Sequence, residues 1–286
     1  MKLTTTIKNA SRTALQWRLL LIWLGALLLP VLLAGVPLWD VLSNALDKSV
    51  HAPELAKELP LWAVTDLMSE IRRHGDAVHG AGLSALILTL LLSPFLTGAA
   101  ITAARAHDTP RFRELFAGGV SEYPRMFRML LWGLVLTAAA GALGGQLMDL
   151  AEKHADKAVL LSDAEPWNYA AMAAMLLLIL FINATLDAGR AELAIDRRRT
   201  SAVKAWWRGL KLLWRRPGAV LGAYAIVTIA GLLLAALLGA ARFNMAGANV
   251  VMLVLGFLVT QIIALILAWM RTTRLFALMT VSATNK

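Results

Sequence analysis

Six uninterrupted apolar blocks, each about 20 residues long, divide this chain at 19–38, 83–104, 129–147, 169–186, 219–241 and 250–270. A helix rising 1.5 Å per residue needs about 20 residues to cross a hydrocarbon core of about 30 Å, so each block has the length of one membrane span. A soluble helix of that length would interleave polar positions at every turn. Composition agrees, with 59% of residues apolar and 16% charged, against about 45–50% and about 25% in soluble proteins. The expected fold is all-α: a polytopic membrane protein with six transmembrane helices in a single integral membrane domain over 1–286. The first block follows Lys2, Lys8, Arg12 and Arg18 in the manner of a signal peptide. It is too long for such a peptide's apolar region and no convincing A-x-A site comes after it, so a retained signal-anchor helix is expected.

Charge sets the orientation. A formal charge of +10 would point to nucleic acid in a soluble chain, but here the basic residues sort by side of the spans. The N-terminal tail, 105–128, 187–218 and the C-terminal tail hold 21 of the 28 Lys and Arg residues. The segments 39–82, 148–168 and 242–249 hold the other 7, together with 12 of the 18 acidic residues. The positive-inside bias makes the first set cytoplasmic, with both termini there, in a bacterial-type inner membrane. The expected anionic partner is then phospholipid at the cytoplasmic face, and no nucleic acid. Trp17, Trp39, Trp132, Trp167, Trp214 and Trp269 lie near the expected water boundaries, where an indole is favoured, and Trp23 is the exception, about a turn deeper. The absence of cysteine excludes a disulfide, a thiolate metal site and a cysteine nucleophile.

Shifting the chain by 91 residues lays 83–147 onto 174–238 without a gap, bringing Gly98 to Gly189, Thr109 to Thr200 and Gly118 to Gly209. An internal hairpin repeat is the expectation: one helix descending to the cytoplasm, a short interfacial connector helix, one helix returning. The connector pattern is clearest over 201–216. There Val203, Trp206, Trp207, Leu210, Leu213 and Trp214 recur at helical spacing, while Lys204, Arg208, Lys211 and Arg215 take the other face. Such amphipathic helices lie in the headgroup plane, where each Lys or Arg near an anionic leaflet adds about 1 kcal/mol of attraction. The equivalent connector carries Phe112, Leu115, Phe116 and Tyr123 but has Gly118 and Gly119 in its middle, where a bend is expected. The N-terminal segment has the same character, so the first and last spans are expected to supply a third hairpin split between the chain ends. On the outer side, 58–75 reads as a further amphipathic helix.

Two groups of residues stand out as candidate contacts. Asn183, Asp187 and Arg190 fall at i, i+4 and i+7 at the cytoplasmic end of the fourth span, an amide, a carboxylate and a guanidinium on one helical face. Ionisable groups at membrane depth are costly, so they mark either a ligand or ion contact or a structural ion pair that locks the span to a neighbour. Trp206, Trp207, Arg208, Lys211, Trp214, Arg215 and Arg216 form a candidate interface for lipid or for a membrane or cytoplasmic protein partner. Pro30 and Pro94 interrupt backbone hydrogen bonding, either as architectural kinks or as the broken helices of a transporter site. His74, Asp76 and His79 match no zinc spacing, and no phosphate loop, nucleophile elbow or kinase motif occurs. No catalytic residue, metal or cofactor is therefore expected.

The stretch LDAGRAELAIDRRRTSAVKAWWRGLKLLWRRP at 186–217 resembles a family of uncharacterised bacterial six-helix inner-membrane proteins. It is similar in layout to other polytopic families of unknown function and to the membrane domain of some glycerophosphodiester phosphodiesterases. The resemblance implies a six-helix bundle with amphipathic cytoplasmic connectors; no phosphodiesterase domain is present to carry that activity over. Some such families are encoded beside AAA-type ATPases and von Willebrand factor-type proteins, which implies an accessory role. The leading expectation is a non-enzymatic scaffold or accessory component of an envelope complex, and the alternative a small transporter or channel with its polar site on the fourth span.

Overall fold

Long apolar runs without polar partners must satisfy every backbone group internally, and a helix is the local way to do so. The computed structural model describes residues 3–47, 49, 60–106, 108–155, 161–198, 200–244 and 250–284. Among them the chain forms nine α-helices and no strand: α1 (Leu3–Ala14), α2 (Trp17–Leu46), α3 (Leu61–Arg73), α4 (Gly75–Arg105), α5 (Phe112–Ala155), α6 (Leu161–Ile195), α7 (Ala202–Arg215), α8 (Pro217–Phe243) and α9 (Val250–Ala283). Six of these, α2, α4, α5, α6, α8 and α9, are long and apolar enough to cross a membrane, and each contains one of the expected spans. The chain is a multi-pass integral membrane protein.

The helices outrun the apolar blocks at most ends. Helix α2 continues through Pro30 and Pro37, and α4 through Pro94, so none of the three prolines ends its helix although each removes one backbone donor. The stretch between the first two spans, expected to be a helix, forms α3 over Leu61–Arg73. Residues 1, 2, 48, 50–59, 107, 156–160, 199, 245–249, 285 and 286 lie outside the described set.

Packing divides the chain into two compact units. The first comprises Met1–Ala14, Val120–Thr228 and Thr272–Lys286. Its centre is α6, which buries Ala184, Leu186, Ala188, Ala191, Leu193 and Ala194, with α7 laid across it. At the crossing the two backbones nearly touch: a Cβ at Gly209 would lie 2.6 Å from the Gly189 nitrogen, and a Cβ at Gly189 3.0 Å from Trp206 Cα. Helix α1 buries Thr6, Ala10 and Ala14, one position per turn on one face, and Leu3 reaches Gly222 of α8.

The second unit comprises Leu15–Gly119 and Ile229–Arg271. Helices α2 and α4 pack lengthwise, burying Leu19, Ile22 and Trp23 on one side and Leu96, Ala99, Ala100, Ile101 and Ala103 on the other. The end of the sixth span reaches the first two: the Arg271 guanidinium lies 5.8 Å from the Trp23 ring and donates to Ser93 Oγ at 3.3 Å. The first turns of α5 sit against α4 through Gly118, where a Cβ would meet Thr102, and Gly119, where it would meet the Phe95 ring.

The hairpin expected around the first connector takes a different form. A separate short helix is expected there, but residues from Phe112 onward run without a break through Gly118, Gly119 and Pro124 into the third span, as one helix of 44 residues. The second connector does stand apart as α7. Ser201 caps its start by accepting from the Lys204 amide at 3.4 Å. At its end Arg216 leaves the helical region (φ −136°, ψ 61°) and Pro217 opens α8, the position where a missing N–H costs least.

Candidate functional site

Helix α6 carries the expected polar face, but the fold splits it. Asn183 is exposed and its side-chain amide donates to the Ile179 carbonyl of its own helix at 2.8 Å. Asp187, four residues on, is buried. Arg190 Nη1 donates to Asp187 Oδ1 at 2.6 Å, and Arg274 of α9 brings Nε to 3.5 Å from Asp187 Oδ2. That second approach is Coulombic, because the Arg274 Nε–H has no aligned acceptor. Arg274 also donates from Nη1 to Thr228 Oγ1 at 3.2 Å and lays its guanidinium 4.7 Å from the Tyr224 ring centre, both on α8.

The cluster therefore joins Asp187, Arg190, Arg274, Thr228 and Tyr224 and leaves Asn183 out. Two guanidiniums share one carboxylate, and three helices meet at it. A guanidinium does not deprotonate in a protein, and both Asp187 oxygens face one, so the group holds opposite charges together between helices. Removing one partner would strand a buried charge, which is how such a pair locks helices together. An arginine just beyond the last apolar block of the sixth span can as well reach the headgroups, so only the packing of α9 beside α6 brings Arg274 to Asp187.

A second buried polar group lies in the same unit. Glu122 and Arg125 pair at 2.5 Å one turn apart on α5, and Arg125 Nη2 donates to the Leu193 carbonyl at 2.5 Å and to the Asp196 carbonyl at 2.6 Å. These carbonyls belong to the last turn of α6 and its exit, where the helix has no further amides to offer them and a cation is favoured. Glu192, also buried, accepts from Ser282 Oγ of α9. Arg128 donates to the Thr200 carbonyl at 2.9 Å, just before α7. None of these residues was singled out from sequence: the Glu122–Arg125 spacing is local, but the partners that Arg125, Arg128 and Glu192 find outside their own helices are 68 to 90 residues away.

Helix α7 has three sectors where sequence reading expects two faces. At roughly 100° per residue, Ala202, Ala205, Gly209, Leu212 and Leu213 form one side, and all are buried. Beside them Val203, Trp207 and Trp214 are exposed, at 47%, 52% and 73%, so large apolar side chains face outward. The third sector carries Lys204, Arg208, Lys211 and Arg215, also exposed, with Arg216 just beyond. Trp206 sits at the border and turns inward, donating from Nε1 to Thr185 Oγ1 at 3.1 Å and meeting Trp132 edge-on at 5.6 Å. Lys211 lies 5.9 Å from the Trp207 ring, which couples the aromatic and basic sectors.

Small side chains explain this order: alanines and a glycine let α7 approach α6 closely, which leaves the larger groups for the other two sectors. Comparison with protein-family profiles, with curated proteins and with solved structures finds no match for the chain.

Proposed function

We propose that this protein is a non-enzymatic component of a bacterial inner membrane, with both ends of the chain cytoplasmic, that scaffolds or assists an envelope complex. The observation that carries the reading is the layout of α7. One sector is fixed to α6, one presents Val203, Trp207 and Trp214, and one presents Lys204, Arg208, Lys211 and Arg215. A helix at the headgroup level needs these three: a grip on its own protein, an indole surface for the acyl boundary and cations for anionic headgroups or an acidic partner.

The polar cluster supports a structural role for the fourth span rather than transport. Asp187 is 6% exposed and both its oxygens face guanidiniums, so an ion would have to displace an existing pair.

Crosslinking in intact membranes followed by purification tests the reading. The Trp207→Ala/Trp214→Ala double variant should lose a specific envelope partner that wild type retains, with unchanged thermal stability, because neither ring is part of the packed sector. The same partners recovered from both proteins would overturn it.

A further inference from the structure

The second unit holds an apolar groove of about 450 Å³ between α2, α4 and the first turns of α5. Leu21, Gly25 and Leu29 line one wall, a run of roughly 12 Å along the α2 axis, and Phe95, Phe112 and Phe116 line the other. The space is real at its floor: a Cβ built at Gly25 meets no atom within 4 Å. Phe112 and Phe116 are 38% and 50% exposed, so two large rings stand at an open surface. No lining side chain carries a hydrogen-bonding group, so the groove suits a hydrocarbon chain and offers nothing to the polar backbone of a peptide.

The mouth of the groove is different. Trp17 meets Phe112 edge-on at 5.6 Å, and next to it the Arg18 guanidinium lies 5.3 Å from the Trp17 ring while donating to the Thr109 and Pro110 carbonyls at 3.4 and 3.2 Å. Arg111 and Arg113 flank Phe112 and are exposed. The acidic residues there are Asp108 and Glu114, the latter accepting from the Arg111 amide at 2.9 Å, so three guanidiniums face two carboxylates. The positive end of α5 adds to that balance.

We propose that this groove seats one acyl chain of an anionic phospholipid, with the headgroup phosphate held at the rim by Arg111 and Arg113. Apolar length below and positive charge above is the chemistry of such a lipid and of no soluble metabolite. The inference takes from the proposed function only that the basic connectors face one membrane surface; it involves no residue of α7.

The test is native mass spectrometry of delipidated full-length protein in neutral detergent, titrated with phosphatidylglycerol or phosphatidylcholine. Wild type should retain one phosphatidylglycerol in preference to phosphatidylcholine, by about fivefold for each exposed guanidinium at the rim. Gly25→Leu, whose Cβ enters open space and whose side chain extends into the groove, should abolish that retention. Gly35→Leu, placed in open space farther along the same helix, should leave it intact. Arg111→Gln/Arg113→Gln should keep a bound lipid but lose the headgroup preference. Equal retention by Gly25→Leu and wild type, equal affinity of wild type for both lipids, or no retained lipid would each overturn the proposal. Any of these would leave the pull-down result for Trp207 and Trp214 unaffected, so the two readings fail separately.

Discussion

The two basic connectors begin alike and end differently. Each is tied at its start by an arginine from the foot of another span, Arg18 reaching the Thr109 and Pro110 carbonyls and Arg128 the Thr200 carbonyl. Thr109 and Thr200 are the residues that the 91-residue shift superposes. Beyond that point the first connector runs straight into its span, whereas the second stops at Arg216 and restarts at Pro217. Their close approaches also differ: Gly118 faces the Thr102 side chain, but Gly209 faces the backbone of Gly189. The accepting threonines coincide under that shift, but their donors, Arg18 and Arg128, do not. The differences show that local contacts decide whether a connector becomes a separate helix.

The largest test of that contrast is Arg125→Met, which removes the charge that holds the exit of α6 under the second connector. Glu122 would lose this buried ion pair and the Leu193 and Asp196 carbonyls this charged donor, so unfolding in detergent should show a loss of about 3–5 kcal/mol. A loss below about 1 kcal/mol would mean that the connector is held by packing alone.

Next come the glycines. Gly209→Ala should cost about 1–3 kcal/mol, and no side-chain truncation opposite should relieve it, because the obstacle is main chain. Gly118→Ala should be partly rescued by Thr102→Ala, which deletes Oγ1 at 1.9 Å and Cγ2 at 2.8 Å from the new methyl group. Thermal melts of the four proteins decide it, and an absent rescue at Gly118 would erase the distinction.

The smallest expected effect is the most direct check of likeness. Arg18→Gln and Arg128→Gln should each cost about 0.5–1.5 kcal/mol, the range for a partly exposed hydrogen bond to a carbonyl. Denaturation midpoints shifted to clearly different extents would show that the two ties are not equivalent.

Much of the fold was legible because span length and charge asymmetry are local properties. A block of about 20 apolar residues can do little else than cross a bilayer, and the six expected blocks all fall inside six long helices. Within the candidate site the pairing of Asp187 with Arg190 was legible too, since groups three apart on a helix are neighbours. Asn183 was grouped with them by the same rule, yet it bonds back to Ile179. Helical spacing says which groups share a face, not whether another helix covers all of it.

By itself the sequence determined the all-helical membrane class, the positions of the spans and the basic character of the connectors, because hydrophobic length and charge act residue by residue. Tertiary structure alone decided that Arg274 joins Asp187, that Trp206 turns inward while Trp207 and Trp214 face out, and that Pro124 is carried within a helix while Pro217 begins one. The physical reason is that lipid and protein interior are equally apolar: hydrophobicity places a side chain out of water, and only the small residues and distant partners of a packed neighbour determine which apolar surface it meets.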